Sequence, residues 1–490
     1  MIQKLFILVV LFSSIVTYSQ DRIGSFENSL KTSQTFLRGS VPIVNNQNGD
    51  ISMFLFDSQK VYGYLLNNKF EKIAELNSDN RRRKYKALIG SSVSKDNTYR
   101  LFMSNEKYTK FGYVDFSYDK KESVFKELDL KLEDEKYLET ITLDNKFYLM
   151  TITKNTSKLN IYSFNDDASC KKDVVDFSNE MFINKERKKT VLYKMFLDSD
   201  VMATFMSPKK IEETNPNSIE VTSEKSKLYL RGNQLVFTFD NNKEYTQIIS
   251  LDLVTLNFKL RQIEKPFVPK STKKQANSYI SGDNLYTMVS TSEKFIFRVH
   301  EYMSGELKKE YSTTVNDTIS FKNSPIIQEG GMYDSYREME KTRKYLRKIT
   351  SGDLGIAAYK INGNHQIILG GKKEVKSNPG MMMMGGFGMI PIGTIGAISV
   401  SINPTFFAFN SYVNTKSTYI ECLFDEDFNH LEGEFENNVF DKIKIYKDLI
   451  NKSTEVSKID TVFKYDDYFV FGFYNSRSKT YNFRKFTDQQ

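Results

Sequence analysis

Residues 232–263 read GNQLVFTFDNNKEYTQIISLDLVTLNFKLRQI. Gly232-Asn233 is a reversal signal, because both residues reach the positive-φ conformations that tight turns need. The run Leu235 to Phe239 that follows is strand-length and rich in aromatic and β-branched side chains. After a second polar turn come Tyr245 to Leu251 and then Asn257 to Ile263. Three such runs joined by short turns predict an antiparallel meander.

The unit recurs along the chain. Asn48-Gly49-Asp50 leads into Ile51 to Phe56 and Val61 to Leu66; Lys95-Asp96-Asn97 leads into Tyr99 to Met103, Phe111 to Phe116 and Val124 to Leu130. Asp144-Asn145 precedes Phe147 to Thr153 and Lys158 to Phe164; Gly282-Asp283-Asn284 precedes Leu285 to Val289 and Phe295 to Tyr302. Gly352-Asp353 precedes Gly355 to Tyr359 and His365 to Leu369; Asn403-Pro404 precedes Thr405 to Phe409 and Thr418 to Phe424; Asp466-Asp467 precedes Tyr468 to Tyr474 and Thr480 to Phe486. A weaker strand pair, Asp198 to Met206, fills the long gap before Gly232. Turn signals return every 45 to 70 residues or so, near the blade period of propellers. One small sheet cannot bury both faces by itself; sheets set around an axis bury each other's and leave only short edges. The expected fold is all-β: a single β-propeller of seven or eight antiparallel blades over residues 20–490. Two or three β-sandwiches would also give regular short strands, but no Pro-, Gly- or Ser-rich linker separates such units.

Composition agrees. Of 490 residues, 40% are hydrophobic and 27% charged, with 38 Phe, 29 Tyr, no Trp and 9 Pro, and Phe and Tyr favour pleated, half-buried surfaces. The net charge of +8 is spread among acids, which permits attraction to anionic surfaces but is not the clustered stripe of a nucleic-acid binder. The one tight cluster, Arg81-Arg82-Arg83-Lys84-Tyr85-Lys86, reads as a solvated loop or an anion patch.

Lys4, the uncharged run Leu5 to Val16 and Thr17-Tyr18-Ser19 have the layout of a secretory signal peptide over residues 1–19, cut before Gln20. Export to the periplasm, the outer membrane or the medium is therefore expected. Cys170 and Cys422 could pair in such a compartment; two free thiols are the simpler expectation.

Two segments stand out. Residues 334–348 predict an inserted helix, capped by Asp334 or Ser335, with a Glu340–Lys344 pair and a thin stripe of Tyr336, Met339 and Leu346. Arg337, Lys341, Arg343, Lys344, Arg347 and Lys348 make the rest basic. Residues 379–400 form an uncharged Gly/Met-rich loop. Its glycines and Pro391 argue against a membrane-spanning helix. It reads as an insertion folded back on the protein, as an exposed contact patch, or as a Cu(I) site through Met381 to Met384 and Met389. The candidate partner contacts are Met381, Met382, Met383, Met384, Phe387, Met389 and Ile390 on the loop, with Arg337, Lys341, Lys344, Arg347 and Lys348 on the helix.

Three histidines, His300, His365 and His430, make no metal-ligand spacing. There is no nucleophile elbow, P-loop or dinucleotide fingerprint. Ser351-Gly352-Asp353-Leu354-Gly355 begins like the Asp-box of sialidase propellers, but Ala357 and Ala358 follow and no second copy occurs. The turn-and-strand repeat resembles exported, uncharacterised bacterial propeller proteins in general, and it transfers no functional residue. The expected function is a non-enzymatic binding or scaffold module for a protein or cell-envelope partner, with peripheral membrane contact and without nucleic acid, metal or cofactor. The alternative is a hydrolase or lyase acting on a glycan or peptide in the central channel. Convergent carboxylates there would favour the enzyme; Lys, Asn and Phe would favour binding.

Overall fold

A computed structural model describes residues 21–28, 39–57, 60–78, 85, 87–198, 204–268, 274–330, 336–372, 402–452 and 456–488. The segment 1–19 read as a signal peptide, the Gly/Met-rich residues 379–400 and most of the Arg81–Lys86 cluster lie outside them.

Among the described residues, antiparallel meanders form seven sheets of four or five strands, together with two two-stranded sheets. The first sheet runs Gly39–Val44, Ile51–Phe56, Val61–Leu66, Lys72–Asn77, and the second Ala87–Val93, Thr98–Ser104, Phe111–Ser117, Glu122–Leu128. The third runs Glu135–Leu143, Lys146–Thr153, Lys158–Phe164, Cys170–Asp176. In the fourth, Ser226–Arg231, Gln234–Phe239, Tyr245–Asp252 and Phe258–Glu264 gain a parallel strand, Lys209–Ile211, beside the first of them. The fifth is Lys274–Ser281, Asn284–Thr291, Lys294–Glu301, Leu307–Thr314. The sixth orders Asp353–Ile361, Asn364–Lys372, Ser417–Phe424, Ile326–Gln328, Arg337–Met339.

The seventh sheet closes the ring. Val456–Tyr465, Tyr468–Asn475 and Thr480–Phe486 are joined at the outer edge by Arg22–Glu27 from the other end of the chain. Neighbouring sheets share apolar clusters rather than one common core, except that helices stand between the sixth and the seventh. Ile51, Met53 and Tyr64 of the first meet Tyr465, Val470 and Phe483 of the seventh. Val41 and Phe54 meet Leu101 and Phe116, and Phe102 stacks on Phe147 at 4.0 Å between the second and third. Each fully buried Phe or Leu contributes roughly 1.5–3 kcal/mol, so stability is distributed around the ring. The chain is a β-propeller.

The turns behave as their residues require: Gly232 and Gly282 take φ of +58° and +53°, where a Cβ would be strained. The repeat read from sequence nonetheless omitted one strand per sheet. The strands nearest the axis, such as Gly39–Val44, Ala87–Val93 and Lys274–Ser281, precede the turns and are rich in Ser, Asn, Ala and Gly. Strands converge there, and bulk is excluded. A Cβ on Gly90 would lie 2.0 Å from the Phe147 ring.

Three expectations need correction. Thr405 to Phe409 is not a strand but part of helix α2, Pro404–Val413, because Asn403 caps it and Pro404 occupies its first turn. The expected helix 334–348 is shorter and shifted. Arg337–Met339 extends the sixth sheet by pairing with Ile326–Gln328, and helix α1 covers Thr342–Thr350. Glu340 thus lies outside the helix, and the buried stripe is Tyr345, Leu346 and Ile349. The segment Asp198 to Met206 contributes only a two-stranded pairing, Leu197–Asp198 with Thr204–Phe205. Helix α3, Val439–Asn451, was not anticipated.

Candidate functional site

The sixth sheet has two unlike faces. Ile356, Ile367, Leu369, Ile420, Cys422 and Phe424 point into the apolar cluster shared with the fifth sheet. Side chains alternate along a strand, so Tyr359, Gln366, Ile368, Tyr419 and Glu421 occupy the opposite face. In the first sheet the middle strands Ile51–Phe56 and Val61–Leu66 are buried on both faces. In the sixth the second face lines a cleft of about 460 Å³.

Helices α2 and α3 form the far wall. Asn403 Oδ1 accepts from Phe406 N at 3.0 Å to start α2. Asn438 and Asp441 form a capping box that starts α3. The apolar side of the pair, Ala408, Phe409, Val439, Phe440 and Ile443, packs on Val462, Phe469 and Phe471 of the seventh sheet. The polar side, with Tyr412, Thr415, Asn438, Asp441 and Lys444, is left facing the cleft. Tyr412 Oη donates to Asp441 Oδ1 at 2.9 Å and accepts from Asn438 Nδ2 at 2.8 Å. The rim carries Glu434 and Glu436.

Burial pushes the Glu421 carboxyl up to about 7, and the charges of Asp441 and Glu329 reinforce it. Burial also raises Glu329, against the Tyr419 hydrogen bond that favours its ionised form. Asp441 is raised by burial too, opposed by Tyr412 and the Asn438 amide. Tyr419 is held well above the usual phenol range, first by burial and then by Glu329 and Glu421. Among the described residues no Lys or Arg forms an ion pair with Glu329, Glu421 or Asp441; Lys444 acts on Glu329 and Asp441 only through space. Glu220 differs: Thr415 Oγ1 donates to it at 2.9 Å and the Lys416 amide donates as well. Asn217 closes the floor. Its Nδ2 donates to Glu212 O at 2.9 Å and Tyr279 Oη at 3.0 Å, while its Oδ1 has no partner. Lys444 is the one cation in the lining, against Glu329, Glu421, Glu434, Glu436 and Asp441, so the arrangement favours positive charge.

Toward the axis the chemistry is different. Lys209 lies 3.6 Å from the Phe407 ring centroid, and burial draws its ammonium down to about 8 despite Glu224 and Glu139 nearby. At the inner turns of the first three sheets, Asn45 Nδ2 donates to Asn97 Oδ1 at 3.1 Å and Asn45 Oδ1 accepts from Asn145 Nδ2 at 2.8 Å.

The sequence-nominated contacts are placed in part. Lys341, Lys344 and Arg347 are exposed on α1 and its N-cap, Arg337 is exposed on the short strand before it, and Lys348 is half-buried. Met381, Met382, Met383, Met384, Phe387, Met389 and Ile390 lie outside the described residues. Cys170 is exposed and Cys422 buried, both as free thiols. His365 stacks on Phe428 at 4.4 Å, and burial lowers it to about 4. Among the described residues no group of three or more His, Cys, Asp or Glu could hold a metal ion, and no helix is long and apolar enough to cross a membrane. The cleft residues were not nominated from sequence. Two signals were present: the Asn438-x-x-Asp441 capping pattern, and strand Ser417–Phe424 alternating polar with apolar in a fold that covers both sheet faces.

No family model matches the chain, and no curated protein matches it. Solved structures resemble it only distantly. The WD40 domain of SCAP from fission yeast is 8% identical over 93% of this chain and 85% of that one, with a TM-score of 0.30. Porphyromonas gingivalis dipeptidyl peptidase 4 is 10% identical over 67% of this chain and 50% of that one, also with a TM-score of 0.30. Dihydro-heme d1 dehydrogenase NirN is 12% identical over 55% of this chain, which spans 45% of its length, with a TM-score of 0.25. Likeness at this level says nothing of activity; the propeller assignment rests on the sheet order and the closing strand.

Proposed function

We propose that the chain is an exported, non-enzymatic binding propeller that holds a protein or cell-envelope component, with the cleft on the sixth sheet as its main grip. The observation that carries this reading is the cleft's carboxylate group. Glu421 on the open face of the sixth sheet, Glu329 just past its strand Ile326–Gln328 and Asp441 on α3 line one cleft. Like charges gathered in a partly desolvated place work against folding, and a well-formed concavity with perturbed carboxylates is the natural place for a ligand. The axis, with Lys209, Phe407 and the Asn45–Asn97–Asn145 chain, supports binding over chemistry in the channel.

The basic face of α1 and the segment 379–400 are proposed as a second contact. Gly371, next to the residue at which the described chain stops before that segment, packs against Ile349 of α1. Affinity capture from native envelopes tests both contacts. The partner recovered by the full chain should be lost with E329Q/E421Q and with deletion of residues 379–400, while circular dichroism stays unchanged. Recovery unaffected by either change would reject the reading.

One observation favours the alternative of a hydrolase or lyase. A carboxyl that burial pushes up to about 7 is suited to act as a general acid. That chemistry would then sit in the cleft rather than the channel. Turnover of a glycan or peptide library that disappears in E421Q would replace the binding reading.

A further inference from the structure

We infer that the cleft is the receptor for an alkyl ammonium or guanidinium group, presented as a lysine or arginine side chain of a bound polypeptide. This rests on the binding-module reading and names what the module grips.

Among the described residues this recognition recurs, with the chain's own cations as occupants. Arg231 lies over the Tyr302 ring at 4.5 Å and pairs with Glu213 at 2.9 Å. Arg100 lies over Tyr113 at 4.5 Å and pairs with Asp115 at 2.6 Å. Lys172 lies over Tyr162 at 5.4 Å and pairs with Glu135 at 2.5 Å. A carboxylate beside a tyrosine face holds a cation through charge and through the ring's negative face together. The cleft repeats these parts with Glu421, Glu329 and Asp441 beside Tyr419, Tyr412 and Tyr359, and Lys444, the cation in its lining, acts on two of the carboxylates only through space.

A second observation points the same way. Asn217 is only 3% exposed, yet its Oδ1 is unpartnered. Its amide nitrogen is directed at Glu212 O, Asn215 O and Tyr279 Oη, and the residue lines the cleft. An unmet buried acceptor is unfavourable, and only a donor relieves it. Ammonium and guanidinium groups are all donor, whereas an anion or a hydrocarbon would leave the acceptors unmet. The volume of about 460 Å³ suits one long side chain with adjoining backbone. Lys444 sits exposed on α3 beside this space.

Calorimetry on the full chain tests the inference, with Nα-acetyl-arginine amide, its citrulline counterpart, 1,5-diaminopentane, and a hexapeptide with a central arginine. Citrulline should bind at least about tenfold more weakly than arginine, and the hexapeptide about tenfold more tightly than the amino-acid amide. E329Q/E421Q should weaken the hexapeptide by about tenfold or more. Y336A, at a rim residue 57% exposed and safe for folding, should weaken it by roughly two- to fivefold. Equal binding of citrulline and arginine, or none by either cation, would overturn the inference. Diaminopentane binding as tightly as the hexapeptide would overturn the polypeptide source in favour of a free amine. Partner capture that persists in E329Q/E421Q without any cation binding would sink this inference and leave the binding-module reading standing. Cation binding without capture would do the reverse.

Discussion

Between the fourth and fifth sheets, Asp240 accepts from Lys227 at 3.0 Å and Lys265 at 2.8 Å, and from Ser278 Oγ and Thr246 Oγ1 at 2.8 Å each. Asn277 extends this node: its Oδ1 accepts from Lys227 at 2.6 Å and its Nδ2 donates to Thr222 O and Leu354 O, so sheets four, five and six are tied together. On the sixth sheet itself, Glu421, Glu329 and Asp441 share a cleft with tyrosines and no paired cation. Both groups are charges removed from bulk water, yet they shift in opposite directions. Burial alone would raise Asp240, but two ammoniums overcome it and hold its carboxyl well below the usual range. Burial of Glu421 is reinforced by its neighbours. The node is complete in itself. The cleft has no counter-charge paired with its carboxylates, which is the pattern of a functional site.

Breaking the node should give the largest effect. D240N leaves two ammoniums facing each other without a counter-ion, a change that removes about 3–5 kcal/mol in comparable buried pairs. Urea unfolding at pH 7 measures it. A loss under about 1 kcal/mol would show that the node is solvated and the contrast with the cleft unfounded.

Neutralising the cleft should act in the opposite direction. The Glu421 carboxyl rises from 4.5 unfolded to about 7 folded, so the folded state holds its proton more tightly. That contribution is fully present below about 4.5 and is lost as pH rises through about 7. E421Q, which cannot ionise, should therefore stabilise the protein by about 1–3 kcal/mol at pH 8 and by almost nothing at pH 4.5. Paired melts at the two pH values read this directly. Stabilisation that does not depend on pH would mean that Glu421 is ionised and satisfied in the fold.

The two groups also differ in how far the sequence announces them. Ring, turns and strand periods follow from local chemistry: Gly232 and Gly282 need positive φ, and runs such as Ile51 to Phe56 have strand length and composition. The axial strands escaped because crowding there selects Ser, Asn, Ala and Gly, which carry little strand signal. Asn403-Pro404 was read as a turn before a strand, although Asn followed by Pro is equally a helix cap and first helical residue. The cleft was illegible for a different reason. Glu329, Glu421 and Asp441 lie far apart in sequence and meet only through the order of the sixth sheet and the docking of α3. The helix tests this last point. N438A removes the cap that orients Asp441 and should lose about 1 kcal/mol, read as a lower urea midpoint. An unchanged midpoint would detach the cap from the cleft wall.

The smallest expected effect separates the two groups most cleanly. Lys444 is exposed at the cleft and lowers Glu329 and Asp441 through space. Replacing it with Met should let both carboxyls rise further and reduce stability at pH 8 by about 0.2–1 kcal/mol in dilute buffer. Raising the salt to about 1 M shortens the screening distance to about 3 Å, so the difference between K444M and the parent should vanish. The deficit of D240N should survive the same salt, because both of its ammoniums are fully buried and ions in solution cannot approach them. A charge group that responds to dissolved ions is one that a dissolved cation can reach. The salt response of K444M therefore asks whether the cleft is open to a ligand or is a second sealed node.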